Sequence, residues 1–191
     1  GTDPQTLSAF NLPNTPHRHT WFPVRLIAFM CTYDETGTMP LNAGLFENIL
    51  VSTPKGSIVN PEFPAAVGIR HTVGRRILDV VNGAIVSAVP DLMAACSGGM
   101  SVPIVLAEHD PVTGLRKVQV IETLTVGQGA RKGCDGVDGR DSAVSNMMNI
   151  PMESVEAAGG VIFRHYGLRP DSGGPGKWRG GTGMMLTFEV L

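Results

Sequence analysis

The densest collection of chemistry-bearing residues is the run Asp171-Ser172-Gly173-Gly174-Pro175-Gly176-Lys177-Trp178-Arg179-Gly180-Gly181-Thr182-Gly183. A Gly-Lys dipeptide in a glycine-rich loop invites comparison with a phosphate-binding loop. That loop needs Gly at position 171 and Ser or Thr at position 178. Asp171 and Trp178 stand there instead, and a carboxylate at the loop's start repels phosphate. The run predicts a tightly folded β-loop whose glycines take positive φ. A second run, Gly127-Gln128-Gly129-Ala130-Arg131-Lys132-Gly133, has Lys132 where a dinucleotide fingerprint needs Gly. Cys134-Asp135-Gly136 then breaks any following helix.

Other groups have spacings that could serve a metal or a proton transfer. Asp135, Asp138 and Asp141 recur every third residue. An EF-hand needs a spacing of two and a Glu at its twelfth position, which here holds Asn146. Two readings stay open: a cation held by some of these carboxylates, or an Asp-Gly turn cluster. His17 and His19 have the spacing of a ligand pair on a strand, but only Asp3 is a nearby carboxylate. Arg70-His71 precedes an apolar periodic stretch, where a histidine most often hydrogen-bonds local backbone. His109 falls at a hairpin turn and His165 in a strand. Glu153 and Glu156 would share a face if 152–158 were helical, which would allow acid–base work. Gly159-Gly160 favours a capped, solvated turn there. Cys31, Cys96 and Cys134 are far apart and odd in number, which predicts reduced, buried thiols. A nucleophilic role for Cys134 lacks an adjacent base.

These groups need elements to hold them. Pro4, Pro13 and Pro16 make residues 1–19 extended and irregular. Thr20 can cap a buried helix from Trp21 to Tyr33. Gly37–Gly44 predicts a turn region, Asn48–Ser52 a short strand and Pro54-Lys55-Gly56 a turn. Val73, Ile77, Val80, Val81, Ala84, Ile85 and Ala88 fall on one helical face, predicting a helix over 72–89. Pro90 stops it, and Asp91 can cap a short second helix ending at Gly98-Gly99. Val102–Ala107 and Lys117–Val126 flank a hairpin turn at 110–114. Val161–Tyr166 and Met184–Val190 form another antiparallel pair joined by the glycine-rich run. The pattern is α+β: antiparallel strands with a few helices on one side and long ordered Gly-rich loops.

Composition excludes several classes. Charged residues are 17% of the chain and the net charge is −2, with no basic stripe, so no nucleic-acid partner is expected. The low charge also predicts that part of the surface is covered by a partner or further chain. No apolar run is long enough for a membrane span and no signal peptide is visible, which predicts a cytoplasmic protein. Leu191 falls in what reads as mid-strand, predicting that the natural chain extends further.

Several segments, taken in order, resemble the hydantoinase B/oxoprolinase family. Gly1-Thr2-Asp3-Pro4-Gln5 with Asn11 is similar to its Gly-x-x-Pro-Gln…Asn stretch. Pro40-Leu41-Asn42-Ala43-Gly44-Leu45-Phe46 resembles its Pro-x-Asn-x-Gly segment. Pro54-Lys55-Gly56-Ser57-Ile58-Val59-Asn60-Pro61, then Pro64-Ala65-Ala66-Val67 and Arg70, resembles its most recognisable run. Gly127-Gln128-Gly129-Ala130 with Asp135-Gly136, Asn149-Ile150-Pro151-Met152-Glu153 with Glu156, and the run from Asp171 to Gly181 continue the likeness.

The resemblance implies that residues 1–191 are one region, the central to C-terminal part of a B-type subunit. It implies an ATP-dependent cyclic amide hydrolase, opening hydantoin, 5-oxoproline or a lactam with a nucleotide-binding A-type partner. The alternatives are the alpha-type subunit of an ATP-dependent ketone carboxylase acting on acetone or acetophenone, and a non-catalytic interaction module. The family's upstream metal-binding segment is absent from this sequence. The expectation is therefore no metal or cofactor on this chain alone, with ATP and a divalent metal in the full complex. An oligomer and a small-molecule substrate are also implied. Asn42, Asn60, Arg70, His71, Asp135, Asp138, Glu153, Asp171, Ser172, Lys177 and Arg179 are the candidates for shaping a substrate cavity or interface. The resemblance assigns a chemical role to none of them.

Overall fold

A computed structural model describes residues 2–13, 36–39, 42–47, 49–99, 102–141 and 147–191. The expected Trp21–Tyr33 helix, His17, His19 and Cys31 lie outside these residues. The chain divides into two compact units, Gly1–Pro90 and Asp91–Leu191.

In the first unit, irregular chain is held by side chains that substitute for regular structure. Asn11 is fully buried. Its Oδ1 accepts from Thr6 N at 2.9 Å, and its Nδ2 donates to Thr6 O at 2.7 Å and Ala66 O at 2.9 Å. Gln5 N donates to Gly56 O at 2.8 Å, and Gln5 Oε1 accepts from Glu62 N at 2.7 Å. The 2–12 and 54–66 segments thus pin each other, as extended prolyl chain must do when it cannot form a ladder. Lys55-Gly56 turns as expected, with Gly56 at φ +70°. Residues 49–52 carry no strand, because no neighbouring strand among the described residues pairs with them. Within 37–44, Gly37 takes positive φ, and Ala43–Phe46 forms one turn of 3₁₀-helix capped by Asn42 Oδ1 on Gly44 N at 2.9 Å.

Helix α1 runs from Arg70 to Val86. It begins two residues before the expected start and ends three before the expected stop. Its buried face is rotated from the apolar stripe. Ile77 is buried with Leu12 and Val59, and Val73 and Val81 pack against them. Val80, however, is 65% exposed, and Ala84 and Ala88 are exposed. Gly74, Arg75, Leu78, Asp79 and Asn82 are buried instead. Burial of Arg75, Asp79 and Asn82 requires polar partners, and Asp79 Oδ2 receives Arg76 Nη1 at 3.3 Å. Polar pairing, not apolar periodicity alone, sets which face turns inward. No helix among the described residues is long and apolar enough to cross a membrane.

The second unit holds two antiparallel hairpins. β1 (Val102–His109) pairs with β2 (Arg116–Leu124), and β3 (Val161–Leu168) pairs with β4 (Met184–Val190). Pro103 sits in the register shift between Val102 and Ile104, where its missing N–H costs no ladder bond. The β1–β2 turn closes as expected. Asp110 Oδ1 accepts from Val112 N and Thr113 N, both at 2.8 Å. These N–H groups, Thr113 first, hold the Asp110 carboxyl below its ordinary value. A short helix α2, Met152–Ala157, stands where a turn was favoured. Its Val155 joins Ile121 and Val161 in the core, flanked by Phe163 and Phe188, whose rings meet edge-on at 6.4 Å. Gln119 Nε2 and Lys117 Nζ donate to Val155 O and Ala158 O, capping α2 from β2. The α+β class is as expected.

The expected helix after Asp91 is absent. Ala95 N and Gly98 N donate instead to Ala130 O at 2.8 Å and Gly127 O at 3.1 Å. Asp91, expected to cap it, pairs with Lys132 at 2.5 Å. Tertiary backbone bonds here replace the i−4 partners of a helix.

The rotation of α1 can be checked by urea unfolding. Leu78→Ala is expected to cost about 2–5 kcal/mol, and Val80→Ala less than about 0.5 kcal/mol. The apolar-stripe reading, which places Val80 inward and leaves Leu78 off the face, predicts the reverse order.

Candidate functional site

Three segments of the second unit, 95–98, 125–141 and 169–183, are joined largely by their own backbones. Gln128 N donates to Val137 O at 3.0 Å and Gly181 N to Gln128 O at 2.8 Å. Gly136 N donates to Arg179 O at 2.7 Å and Gly139 N to Thr182 O at 2.8 Å. Glycine is required because main chain lies on main chain. A Cβ at Gly127 would sit 1.8 Å from Gly181 O, and one at Gly136 2.0 Å from Gln128 O. None of the glycines in 171–183 takes a left-handed φ, contrary to the sequence expectation. Gly173 and Gly181 are there for space, since an added Cβ would sit 2.3 Å from Gly180 O and 2.1 Å from Val137 O. Asp171, at φ +53°, supplies the turn instead.

Side chains tighten the junction. Arg179 donates Nη1 to Asp138 Oδ1 at 2.9 Å and Nη2 to Asp138 Oδ2 at 3.2 Å. Asp138 Oδ1 also accepts from Thr182 N at 2.7 Å, and Asp135 Oδ1 from Arg179 N at 2.7 Å. The Arg179 guanidinium, then the Thr182 N–H, lower the Asp138 carboxyl to about 2. The same pairing raises Arg179. Ser172 Oγ donates to Arg169 O at 2.8 Å and accepts from Gly183 N at 2.9 Å. Thr125 Oγ1 donates to Gly139 O at 2.6 Å. The joined segments enclose an open cleft of about 560 Å³, walled by the glycines with Arg169, Trp178 and Cys96 on its lining. That is the size of a small-molecule site.

The Hydantoinase B/oxoprolinase family model matches residues 1–191. The chain belongs to this family. Its relatives include the 5-oxoprolinase PfmaA of Pestalotiopsis fici, 30% identical over 195 residues, all of this chain and 14% of the relative. Another is caprolactamase subunit beta of Pseudomonas jessenii, 32% identical over 158 residues, 80% of this chain and 27% of the relative. The crystal structure of the ATP-dependent caprolactamase from that organism matches with a TM-score of 0.80 and 27% identity, over 99% of this chain and 32% of that one. An acetone carboxylase structure matches with a TM-score of 0.69 at 18% identity over 99% of this chain and 25% of that one, a likeness of fold alone. The chain thus spans about a third or less of the length of these relatives.

Within this member of the family, the candidate residues fall into distinct groups. Asp135, Asp138, Ser172 and Arg179 come together in the junction. Asp171 and Lys177 flank it on exposed chain, with Lys177 Nζ 4.9 Å from the Trp178 ring centre. Glu153 is exposed on α2 and outside this network. Glu156 is structural, its Oε1 accepting from Phe163 N at 2.7 Å, so the paired-carboxylate reading does not hold. Asn42, Asn60, Arg70 and His71 belong to the first unit. Asn60 is buried with Nδ2 on Thr53 O at 3.0 Å, and Arg70 Nη1 donates to Val67 O at 3.3 Å. Asp135 and Asp138 are committed to Arg179, which favours the turn-cluster reading over a cation. Among the described residues no three His, Cys, Asp or Glu side chains converge as metal ligands. Cys96 and Cys134 are free and exposed, not buried as expected, because both lie on loops whose close contacts are made by backbone. Arg169, Gln128 and Thr182 were not singled out from sequence. Arg169 and Thr182 lie at the edges of the glycine-rich run and Gln128 inside the other, which was the available signal.

Gly127→Ala is expected to cost about 3 kcal/mol or more in urea unfolding, since neither backbone can retreat. Gly174→Ala, with nothing within 4 Å of the added carbon, should change stability by less than about 0.5 kcal/mol.

Asp138 has a folded value of about 2, below its ordinary 3.8. Its contribution is therefore present above 3.8 and lost as pH falls towards about 2. Asp138→Asn should lower Tm at neutral pH. Thermal melts across acid pH should show that difference closing in this window.

Proposed function

We propose that this chain is the central to C-terminal part of a B-type subunit of an ATP-dependent cyclic amide hydrolase. The observation that carries the reading is the match to the ATP-dependent caprolactamase over 99% of the chain. A relative named 5-oxoprolinase adds support. An amide is a poor electrophile and a poor leaving group, so ATP-linked opening needs phosphorylation of the ring amide's oxygen. ATP is taken by this proposal to bind an A-type partner; neither glycine-rich run here has the residues of a nucleotide loop. The divalent ion expected in the full complex is placed, by this proposal, on its other parts. In this reading the cleft receives the activated species, and the complex works in the cytoplasm, where ATP is made available.

Exposed apolar residues support assembly with further protein. Val105, Val118 and Val120 are 59%, 51% and 47% exposed. Val105 is paired with Val120, and Val118 with Ala107, on one face of β1–β2. Ketone carboxylation is the second reading, supported by the acetone carboxylase fold.

The test is to assemble the full-length subunit with its A-type partner and assay hydantoin, 5-oxoproline and caprolactam with ATP. Ring-opened product is expected together with ADP, and none from residues 1–191 alone. ATP- and bicarbonate-dependent consumption of acetone or acetophenone, without ring opening, would establish the carboxylase reading instead. No ATP-dependent turnover of either kind sinks both.

A further inference from the structure

We infer that Trp178 is the specificity-determining residue of the second unit's cleft, its indole face taking the flat of a small ring, and that Asp138 and Arg179 position it. The inference rests on the proposed function for the ring being a cyclic amide. The cleft's lining is mostly glycine and other small residues, and Trp178 is the one aromatic side chain on it. The polar side chains beside it are spent: Thr125 on Gly139 O, Gln128 on Asp141 O and Ser172 on Arg169 O. The wall's main chain leaves N–H groups (Gly127, Gly129) and carbonyls (Val126, Trp178) alike without partners among the described residues. Such a wall selects neither charge. It suits a neutral amide edge, which donates and accepts at once.

The indole is the surface left for the flat of the ring. It is half-buried and makes no hydrogen bond among the described residues. Lys177 Nζ lies over one face, 4.9 Å from the ring centre. The opposite face meets no ring or cation among the described residues. Flat conjugated rings stack on such a face with an offset. No hydrogen bond holds Trp178 itself, but its neighbour is held from several directions. Arg179 N donates to Asp135 Oδ1 at 2.7 Å, Gly136 N donates to Arg179 O at 2.7 Å, and the guanidinium spans both oxygens of Asp138. Neither Asp138 nor Arg179 lines the cleft, so both act through Trp178. Losing the fork frees the main chain at 178 to turn and carries the indole off the wall.

The chain has two tryptophans, Trp21 and Trp178. Labelled with 5-fluorotryptophan, the full chain gives two ¹⁹F resonances, and the one lost in Trp178→Phe belongs to Trp178. That resonance is expected to shift saturably with the flat rings hydantoin or 5-oxoproline, and less with puckered caprolactam. In the full-length subunit assembled with its partner, Trp178→Ala is expected to raise KM for the flat ring that is opened about tenfold, with kcat little changed. Trp178→Phe should restore most of that loss. Arg179→Lys keeps the charge and loses the fork. It is expected to move the free Trp178 resonance and raise KM part of the way, whereas a merely structural residue would lower Tm and leave both in place. The inference is overturned if neither flat ring shifts the Trp178 resonance saturably, or if Trp178→Ala leaves KM unchanged. A saturable shift in a chain whose full complex opens no ring would remove the functional reading and leave the site. Ring opening at an unaltered KM in Trp178→Ala would do the reverse.

Discussion

Contact of main chain with main chain is the constraint on which the second unit depends. Where Gly127 lies on Gly181, and Gly136 on Gln128, carbonyl oxygens occupy the volume that any Cβ would need. Three sequence-distant segments can then share hydrogen bonds as if they were neighbouring strands, without forming a sheet. The Arg179–Asp138 pair adds direction to this contact. It is exposed, so its charge attraction is screened. Its value lies in the bidentate geometry, which fixes residue 179 while Asp138 also receives Thr182 N.

The first unit solves a related problem with side chains. Its proline-rich segments cannot supply a ladder, so Asn11 and Gln5 act as surrogate backbone. A primary amide both donates and accepts, and so can pair with a strand's exposed N–H and C=O at once. The family-like motifs here read as scaffold: Asn11 and Asn60 are buried and committed to backbone partners.

The sequence made the hairpins legible because their signals are local. Alternating apolar residues and the Asp110–Gly114 turn place β1 and β2 within a few residues, and β4 is placed from Met184 to Val190 as observed. The face of α1 was not legible, since Arg75, Asp79 and Asn82 are buried through partners that periodicity cannot see. The helix expected after Asp91 failed for the same reason: its N–H groups are claimed by residues some 30 positions away. The glycine-rich run was recognised as an ordered loop, but for the wrong cause. Positive φ has a local signature, whereas the need for space does not. Of the junction's residues, Asp135, Ser172 and Arg179 fall in the family-like motifs and Asp138 in the every-third-residue aspartate spacing, while the parts of Arg169 and Thr182 show only in the fold.

A scaffold joined through its backbone also shapes how the protein can diversify. Main-chain bonds are indifferent to the identity of most side chains, so drift at the positions between the glycines leaves the frame standing. The caprolactamase structure keeps this fold, with a TM-score of 0.80, at only 27% sequence identity. Selection for a new substrate can act on the lining while the frame is inherited unchanged.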